Sequence, residues 1–170
     1  MLSTLNLPNP SQHIRLAPHP ADIAAHRGRI TSGLTLVIIA MGLLAAYPRQ
    51  QIISGSMVPT IPVGKTIIAD RLSYAYSRPL RGDIVVFKPL IEFSDSQWSH
   101  RIIAVPGDVV TTKSGVTRVN GQPTEYPSTS DPDSVPLTVP PGFYYEKGDD
   151  IDALNGLVPS DAVIAKIVWY

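Results

Sequence analysis

An uncharged apolar run at residues 30–47 constrains this chain more than any other feature of its sequence. The run is about 18 residues long, the lower end of the length that crosses a bilayer as a helix. Its alternatives are a buried core helix and a cleaved signal peptide with small residues, Ala45 and Ala46, near the cleavage point. Because 29 mostly polar residues precede the run, more than a signal peptide usually carries, we expect a membrane anchor.

The charges beside the apolar run predict its orientation. Arg15, Arg27 and Arg29 precede it, whereas Arg49 follows it. Positively charged residues tend to stay on the cytoplasmic side of a membrane. The tail of residues 1–29 is therefore expected in the cytoplasm, and the bulk of the chain on the opposite side.

The composition argues against several classes of protein. The chain has no cysteine, which removes disulfides and thiolate chemistry, and a formal net charge of zero, which gives no indication of a nucleic-acid partner. Three of the four histidines, His13, His19 and His26, lie in the polar tail without the spacing of a zinc motif. We expect neither a metal nor another cofactor.

Beyond the run, short apolar stretches alternate with polar residues, a pattern typical of β-strands. The predicted strands are residues 66–69, 83–87, 100–105, 109–112, 116–119 and 162–169. Asn120 and Gly121 suit a type I′ turn, which would join the strand at 116–119 to a short return strand. Residues 122–141 are rich in Pro, Ser, Thr and Asp and predict an exposed loop. The sequence therefore predicts one mainly β domain over residues 48–170.

Ser56, between a glycine and a methionine in the segment 53–60, is the candidate nucleophile. A serine hydroxyl reacts only when a base removes its proton. His100 is the only histidine beyond the apolar run, and an ordinary imidazole pKa of about 6.5 suits proton transfer at neutral pH. A turn serine and a surface histidine are the structural alternatives.

Lysines beyond the run are alternative bases, provided that burial lowers the pKa of one of them. They are Lys65, Lys88, Lys113, Lys147 and Lys166. A third group that orients an imidazole could come from the acidic stretch at residues 148–152, although acidic residues beside a glycine are usually a solvated turn.

Four segments, taken together and in this order, resemble those of the type I signal peptidase family of membrane-anchored serine endopeptidases. They are SGSMVPT at residues 54–60, RGDIVVF at 81–87, HRIIAVPGD at 100–108, and VPPGFY at 139–144 with a following GD at 148–149. The resemblance covers roughly residues 30–170. It implies a compact antiparallel β domain, the catalytic one, preceded by one N-terminal transmembrane helix.

The resemblance also implies roles for individual residues. Ser56 would be the nucleophile, and its backbone N–H and the Ser54 hydroxyl would bind the oxyanion. Bacterial members carry a lysine at the position of His100, whereas endoplasmic-reticulum and many archaeal members carry histidine, so the resemblance implies a Ser-His centre. The last segment is shorter than the bacterial pattern. Asp152 is the first choice, and Asp149 the second, for the carboxylate that orients His100.

The implied activity is removal of N-terminal signal peptides from exported preproteins through an acyl-enzyme. The partners would be these preproteins and membrane lipid, with no nucleic acid. The substrate would pair as an extended segment with a strand of the domain, and small residues at the cleavage point would fit shallow apolar pockets. The candidate lining residues are Ile53, Met57, Ile84, Val86 and Ile102.

Two other functions agree with the same residues. One is a related peptidase that matures a single client, such as a pilin. The other is a non-catalytic, membrane-anchored β domain that binds extended peptides, which the altered last segment favours.

Overall fold

The computed structural model describes residues 20–90, 96–125 and 132–170, and the chain divides into two units, Met1–Gly42 and Leu43–Tyr170. The long helix α1 runs from Pro20 to Ala46, and its side chains at residues 31–45 are exposed. In the described ranges, no helix is long and apolar enough to cross a membrane. Of the predicted tail at residues 1–29, the part before Pro20 lies outside the described residues.

The described part of the second unit consists mainly of eleven strands. They are β1 (Arg49–Gln51), β2 (Thr66–Asp70), β3 (Ile84–Phe87), β4 (Trp98–Ala104), β5 (Val109–Lys113), β6 (Val116–Val119), β7 (Gln122–Pro123), β8 (Leu137–Thr138), β9 (Phe143–Lys147), β10 (Asn155–Pro159) and β11 (Val163–Trp169). A four-residue helix, α2 (Ser73–Tyr76), follows β2, and a 3-10 turn (Ser160–Ala162) precedes β11.

Every strand pair is antiparallel, and the strands form two sheets. The larger sheet has seven strands in the order β1-β2-β11-β3-β4-β9-β10, and the smaller has four in the order β7-β6-β5-β8. The small sheet is formed by the chain between β4 and β9, which are themselves neighbours in the large sheet. The prediction of a mainly β domain with antiparallel strands is confirmed.

Strand β3 is buried along its whole length because side chains cover both faces of the large sheet. Ile84 and Val86 belong to one apolar cluster, and Val85 and Phe87 belong to another. Successive side chains of a strand point to opposite faces, so the two clusters lie on opposite sides of the sheet. This explains why residues 84–87 are continuously apolar instead of alternating.

All six predicted strands are present, with ends that differ by no more than two residues from the prediction. The predicted hairpin at Asn120 and Gly121 is also confirmed, because both residues have positive φ, 51° and 81°, and Val119 pairs with Gln122. The predicted loop at 122–141 is only partly a loop, since it contributes β7 and β8 and buries Val139; residues 126–131 lie outside the described ranges.

Candidate active site

Ser56 lies in a turn within the segment, residues 52–65, that connects β1 to β2. The turn is held by the backbone N–H of Ile61, which donates to the carbonyl of Met57 at 2.8 Å, and by the complete burial of both side chains in the core. Ser56 is half-buried, whereas Ser54 is exposed. Apolar residues of the turn therefore fix its position, while its serines remain accessible.

The segment after β9 packs against the backbone of Ser56. The Asp150 N–H donates to the carbonyl of Ser56 at 3.0 Å. A Cβ atom at position 148 would lie 2.5 Å from the same carbonyl oxygen and 2.3 Å from Cβ of Ala153, so only glycine fits at Gly148 without movement. Two elements distant in sequence thus fix the position of the candidate nucleophile.

The Ser56 hydroxyl has two polar neighbours at long hydrogen-bonding distance. Its Oγ lies 3.4 Å from Oγ of Ser54 and donates to the backbone carbonyl of Ser99 at 3.4 Å. Ser56 and His100 line one cavity without a direct hydrogen bond between their side chains. Catalytic hydrogen bonds are often long or poorly aligned before substrate binds, so the geometry is compatible with transfer of a proton to His100.

His100 is buried on β4, with only 2% of its surface exposed. The rings of Phe87 and Trp98 flank its imidazole at centroid distances of 5.6 and 5.7 Å. Nδ1 of His100 is hydrogen-bonded to Oε2 of Glu146 on β9. With Nδ1 occupied by a carboxylate, Nε2 is the nitrogen left for chemistry.

Glu146 is itself buried, with 6% of its surface exposed. Burial raises the pKa of Glu146, whereas the hydrogen bond with His100 and the charge of Lys147 act in the opposite direction; the net shift is upward. A buried carboxylate is costly unless it is paired, and His100 is its hydrogen-bonded partner.

Ser54, Ser56 and His100 line one cavity of about 340 Å³ with largely apolar walls. The remaining lining residues include Ile53, Trp98 and Leu154. The cavity brings together the hydroxyl of the candidate nucleophile, a second hydroxyl and an imidazole that is hydrogen-bonded to a carboxylate. This arrangement can perform acyl transfer.

The two predicted orienting aspartates occupy other positions. Both carboxylate oxygens of Asp149 accept hydrogen bonds from the guanidinium of Arg101, at 2.9 and 2.6 Å. Asp152 is exposed, and its backbone N–H donates to the Asp150 side chain at 3.0 Å. The structure therefore places Glu146, and neither Asp149 nor Asp152, at Nδ1 of His100.

Four of the five predicted lining residues lie in the core instead. Met57, Ile84 and Val86 pack in one apolar cluster and Ile102 in the other, all 5% exposed or less. Their side chains point into the two apolar clusters that cover the faces of the large sheet, and not into the cavity. Ile53 does line it and is 89% exposed.

The alternative bases are also located by the structure, and none of the five lysines lines the cavity of Ser56. Lys147 is fully buried and donates to the carbonyl of Gly148 at 3.4 Å. Lys166 forms an ion pair with Asp83, and Lys65 lies over the ring of Trp169. Lys88 and Lys113 are exposed.

Sequence reasoning did not find Glu146, Trp98 or Leu154. The run of aromatic residues before Glu146 favours a strand, which was a usable signal for β9. The partner of Glu146 depends on the register between β4 and β9, and the pattern of one strand does not contain that register.

The model of the family described as signal peptidase, peptidase S26, matches residues 27–169. Signal peptidase I of Leptolyngbya laminosa is 31% identical over 163 residues, which cover 87% of this chain and 80% of that protein. Probable signal peptidase I-1 of Synechocystis sp. (strain ATCC 27184 / PCC 6803 / Kazusa) is 30% identical over 154 residues, 80% of this chain and 78% of that protein. Thylakoidal processing peptidase 1 of Arabidopsis thaliana is 31% identical over 137 residues, 71% of this chain and 40% of that protein.

The chain belongs to the signal peptidase family, peptidase S26, and is a serine endopeptidase of the signal peptidase I type.

Proposed function

We propose that this chain removes signal peptides from exported preproteins with Ser56 as nucleophile and His100 as general base. One observation carries the proposal: Ser54, Ser56 and His100 line a single cavity, and none of the lysines that could replace His100 lines it. The buried carboxylate at Nδ1 further supports a base role for the imidazole. Removal of signal peptides is the activity that the names of the related signal peptidases imply.

The proposed reaction is acyl transfer in two halves. Nε2 of His100 takes the proton of the Ser56 hydroxyl as Oγ bonds to the scissile carbonyl carbon. The Ser54 hydroxyl and the Ser56 N–H donate to the oxygen that becomes negative. The C–N bond then breaks, and the amine leaves with the proton from His100. Water repeats the sequence on the ester and releases the signal peptide with a free carboxylate.

The proposed substrate is an extended segment that follows the hydrophobic run of a preprotein. Strand β1 is at one edge of the large sheet and leads directly into the turn that holds Ser56. An extended peptide can add to such an edge through main-chain hydrogen bonds. The apolar cavity beside Ser56 would then accept a side chain at the cleavage point, with Ile53 and Leu154 in its wall.

The proposed anchor is the apolar run at residues 30–47, with the tail in the cytoplasm and the β domain on the opposite side. Support comes from the lack of charge in the run and from the exposure of the side chains at residues 31–45 of α1. A helix with apolar side chains exposed around its circumference suits a lipid environment.

The test is a preprotein-cleavage assay with the purified full-length chain. Ser56→Ala and His100→Ala should each lower kcat at least about 1,000-fold, since nucleophile and base act as a unit. Ser54→Ala should lower it about 100- to 1,000-fold, the usual effect of losing one oxyanion donor. Ser160→Ala, a serine exposed outside the cavity, is the matched control and should keep full activity.

The same assay separates the alternatives. An active His100→Ala protein would refute the Ser-His assignment and return attention to the lysines. Cleavage of one client out of a panel of preproteins would indicate a specialised maturation peptidase. No cleavage, together with no labelling of Ser56 by a serine-directed acylating probe, would indicate a peptide-binding domain.

A further inference from the structure

The buried hydrogen bond between Nδ1 of His100 and Glu146 joins β4 to β9 beside the cavity of Ser56. We infer that Glu146, on β9, is the positioning residue of the Ser56–His100 centre, a role that the 148–152 segment does not fill. The inference rests on the proposed function, because it concerns how His100 is held for that reaction.

The register of β4 and β9 explains why a glutamate can reach the imidazole. Glu146 pairs with Ile102, and His100 is two residues before Ile102 on the same strand face. The two residues are therefore diagonal neighbours, whose Cα atoms are usually about 7–8 Å apart in a sheet. A glutamate is one methylene longer than an aspartate, and this extra reach allows its carboxylate to meet Nδ1.

This contact determines which ring nitrogen can act as a base. When Glu146 is ionised, its carboxylate only accepts hydrogen bonds, so His100 donates Nδ1–H to it. The lone pair of the neutral imidazole then lies on Nε2, which is the tautomer a serine nucleophile requires. The flanking rings of Phe87 and Trp98 restrict rotation of the imidazole, so the hydrogen bond and the packing act together.

Burial raises the pKa of Glu146 on balance, whereas the hydrogen bond with His100 and the positive charges near the carboxylate act to lower it and so favour the ionised form. Besides His100, the charge that acts on this carboxylate is that of the next residue, Lys147, which is itself buried. Asp149 does not compete for the imidazole, because Arg101 donates to both of its oxygens. Glu146 is thus the acidic side chain with both the position and the surroundings for this role.

The experiment measures kcat and KM for preprotein cleavage across pH with the full-length chain in detergent. Glu146→Gln keeps the size of the side chain but removes its charge, and should lower kcat at least about 100-fold with little change in KM. The acid limb of its activity profile should move to lower pH, because a neighbouring negative charge favours protonated imidazole. Glu146→Asp, which keeps the charge, should have an intermediate kcat. Glu125→Gln makes the same chemical change on an exposed side chain and should match the unmodified enzyme.

A folded Glu146→Gln protein with unchanged kcat and an unchanged acid limb would overturn the inference. If this variant does not fold, Glu146→Asp decides: a wild-type kcat would overturn the inference, and a lowered kcat with an unchanged KM would support it. Ser56→Ala and His100→Ala are measured in parallel. If both are inactive while Glu146→Gln is not, only the positioning role fails, whereas activity in either would reject the proposed function itself.

Discussion

Among the residues that the structure describes, three carboxylates of the β domain are mostly buried and each is paired, but only one of these has a partner that can exchange a proton. Asp108 pairs with Arg81 and Asp149 with Arg101, and a guanidinium keeps its charge at any ordinary pH. Glu146 pairs with His100, and an imidazole, unlike a guanidinium, can take up and release a proton during a reaction. The arginine pairs are suited to hold the backbone in place, and the histidine pair is suited to catalysis.

The lowered pKa of Asp108 predicts how the stability of the β domain depends on pH. Burial acts to raise the pKa of Asp108, but hydrogen bonds from Arg81, the Val105 N–H and Asn120 outweigh it, so the pKa is lowered. A carboxyl with a lowered folded-state pKa stabilises the fold above its unfolded value, about 4, and this contribution is lost as pH falls through the folded value. The melting temperature should therefore drop between about pH 5 and pH 3.

The measurement is thermal unfolding at both pH values for the unmodified chain and for Asp108→Asn. The variant should be less stable at neutral pH and should lose less stability on acidification. Asp161→Asn, which changes an exposed aspartate, should keep the pH dependence of the unmodified chain. An equal loss in Asp108→Asn and in the unmodified chain would contradict the prediction.

At the scale of the elements, the sequence predicts strands well where apolar residues alternate or run together, as at β3 and β6. It does not predict β9 or β10. The candidate site follows the same division: Ser56 and His100 were proposed from local sequence, whereas Glu146 was not. Glu146 meets His100 through pairing between strands more than 40 residues apart, and a contact of that kind depends on register.

The segment after β9 gives a prediction at this scale. Gly148→Ala should lower kcat at least about 10-fold and destabilise the fold by about 1–3 kcal/mol, because the added methyl group overlaps the carbonyl of Ser56 and Cβ of Ala153. Gly156→Ala is the matched control, since nothing lies within 4 Å of its added Cβ. The readouts are preprotein cleavage and thermal unfolding. A Gly148→Ala protein as active and as stable as the control would show that the close packing of position 148 against Ser56 and Ala153 affects neither catalysis nor stability.

At the scale of the whole molecule, the chain combines one exposed helix with a β domain that has its own core. The division into a helical and a β part was predictable, because the hydrophobic pattern changes at about residue 48. The start of the helix was not predictable from the apolar run, since α1 begins at Pro20, well before that uncharged run. Polar residues can extend a helix once an apolar stretch has formed it, and hydropathy alone does not mark that boundary.

The proposed anchor predicts the behaviour of the full chain in cell fractionation. Membranes extracted at alkaline pH should retain the unmodified protein. The double change Ile38→Lys and Met41→Lys should release it, because each lysine near the centre of a spanning helix costs about 2.5–3.5 kcal/mol. Replacing both residues with leucine is the matched control and should leave the chain in the membrane pellet. Release of the unmodified protein would contradict the anchor.

The small sheet has a consequence for how this domain can change over evolution. The chain leaves the large sheet after Ala104 and returns at Phe143 as the neighbour of the strand that it left. A segment of chain whose two ends are adjacent can be lengthened or shortened at little cost in loop-closure entropy. Insertions and deletions in the exposed turns between these residues, away from the buried Val110, Val119 and Val139, can therefore accumulate without moving His100 relative to Glu146. By the same reasoning, a single-residue insertion within β4 or β9 would turn one of the two side chains to the opposite face.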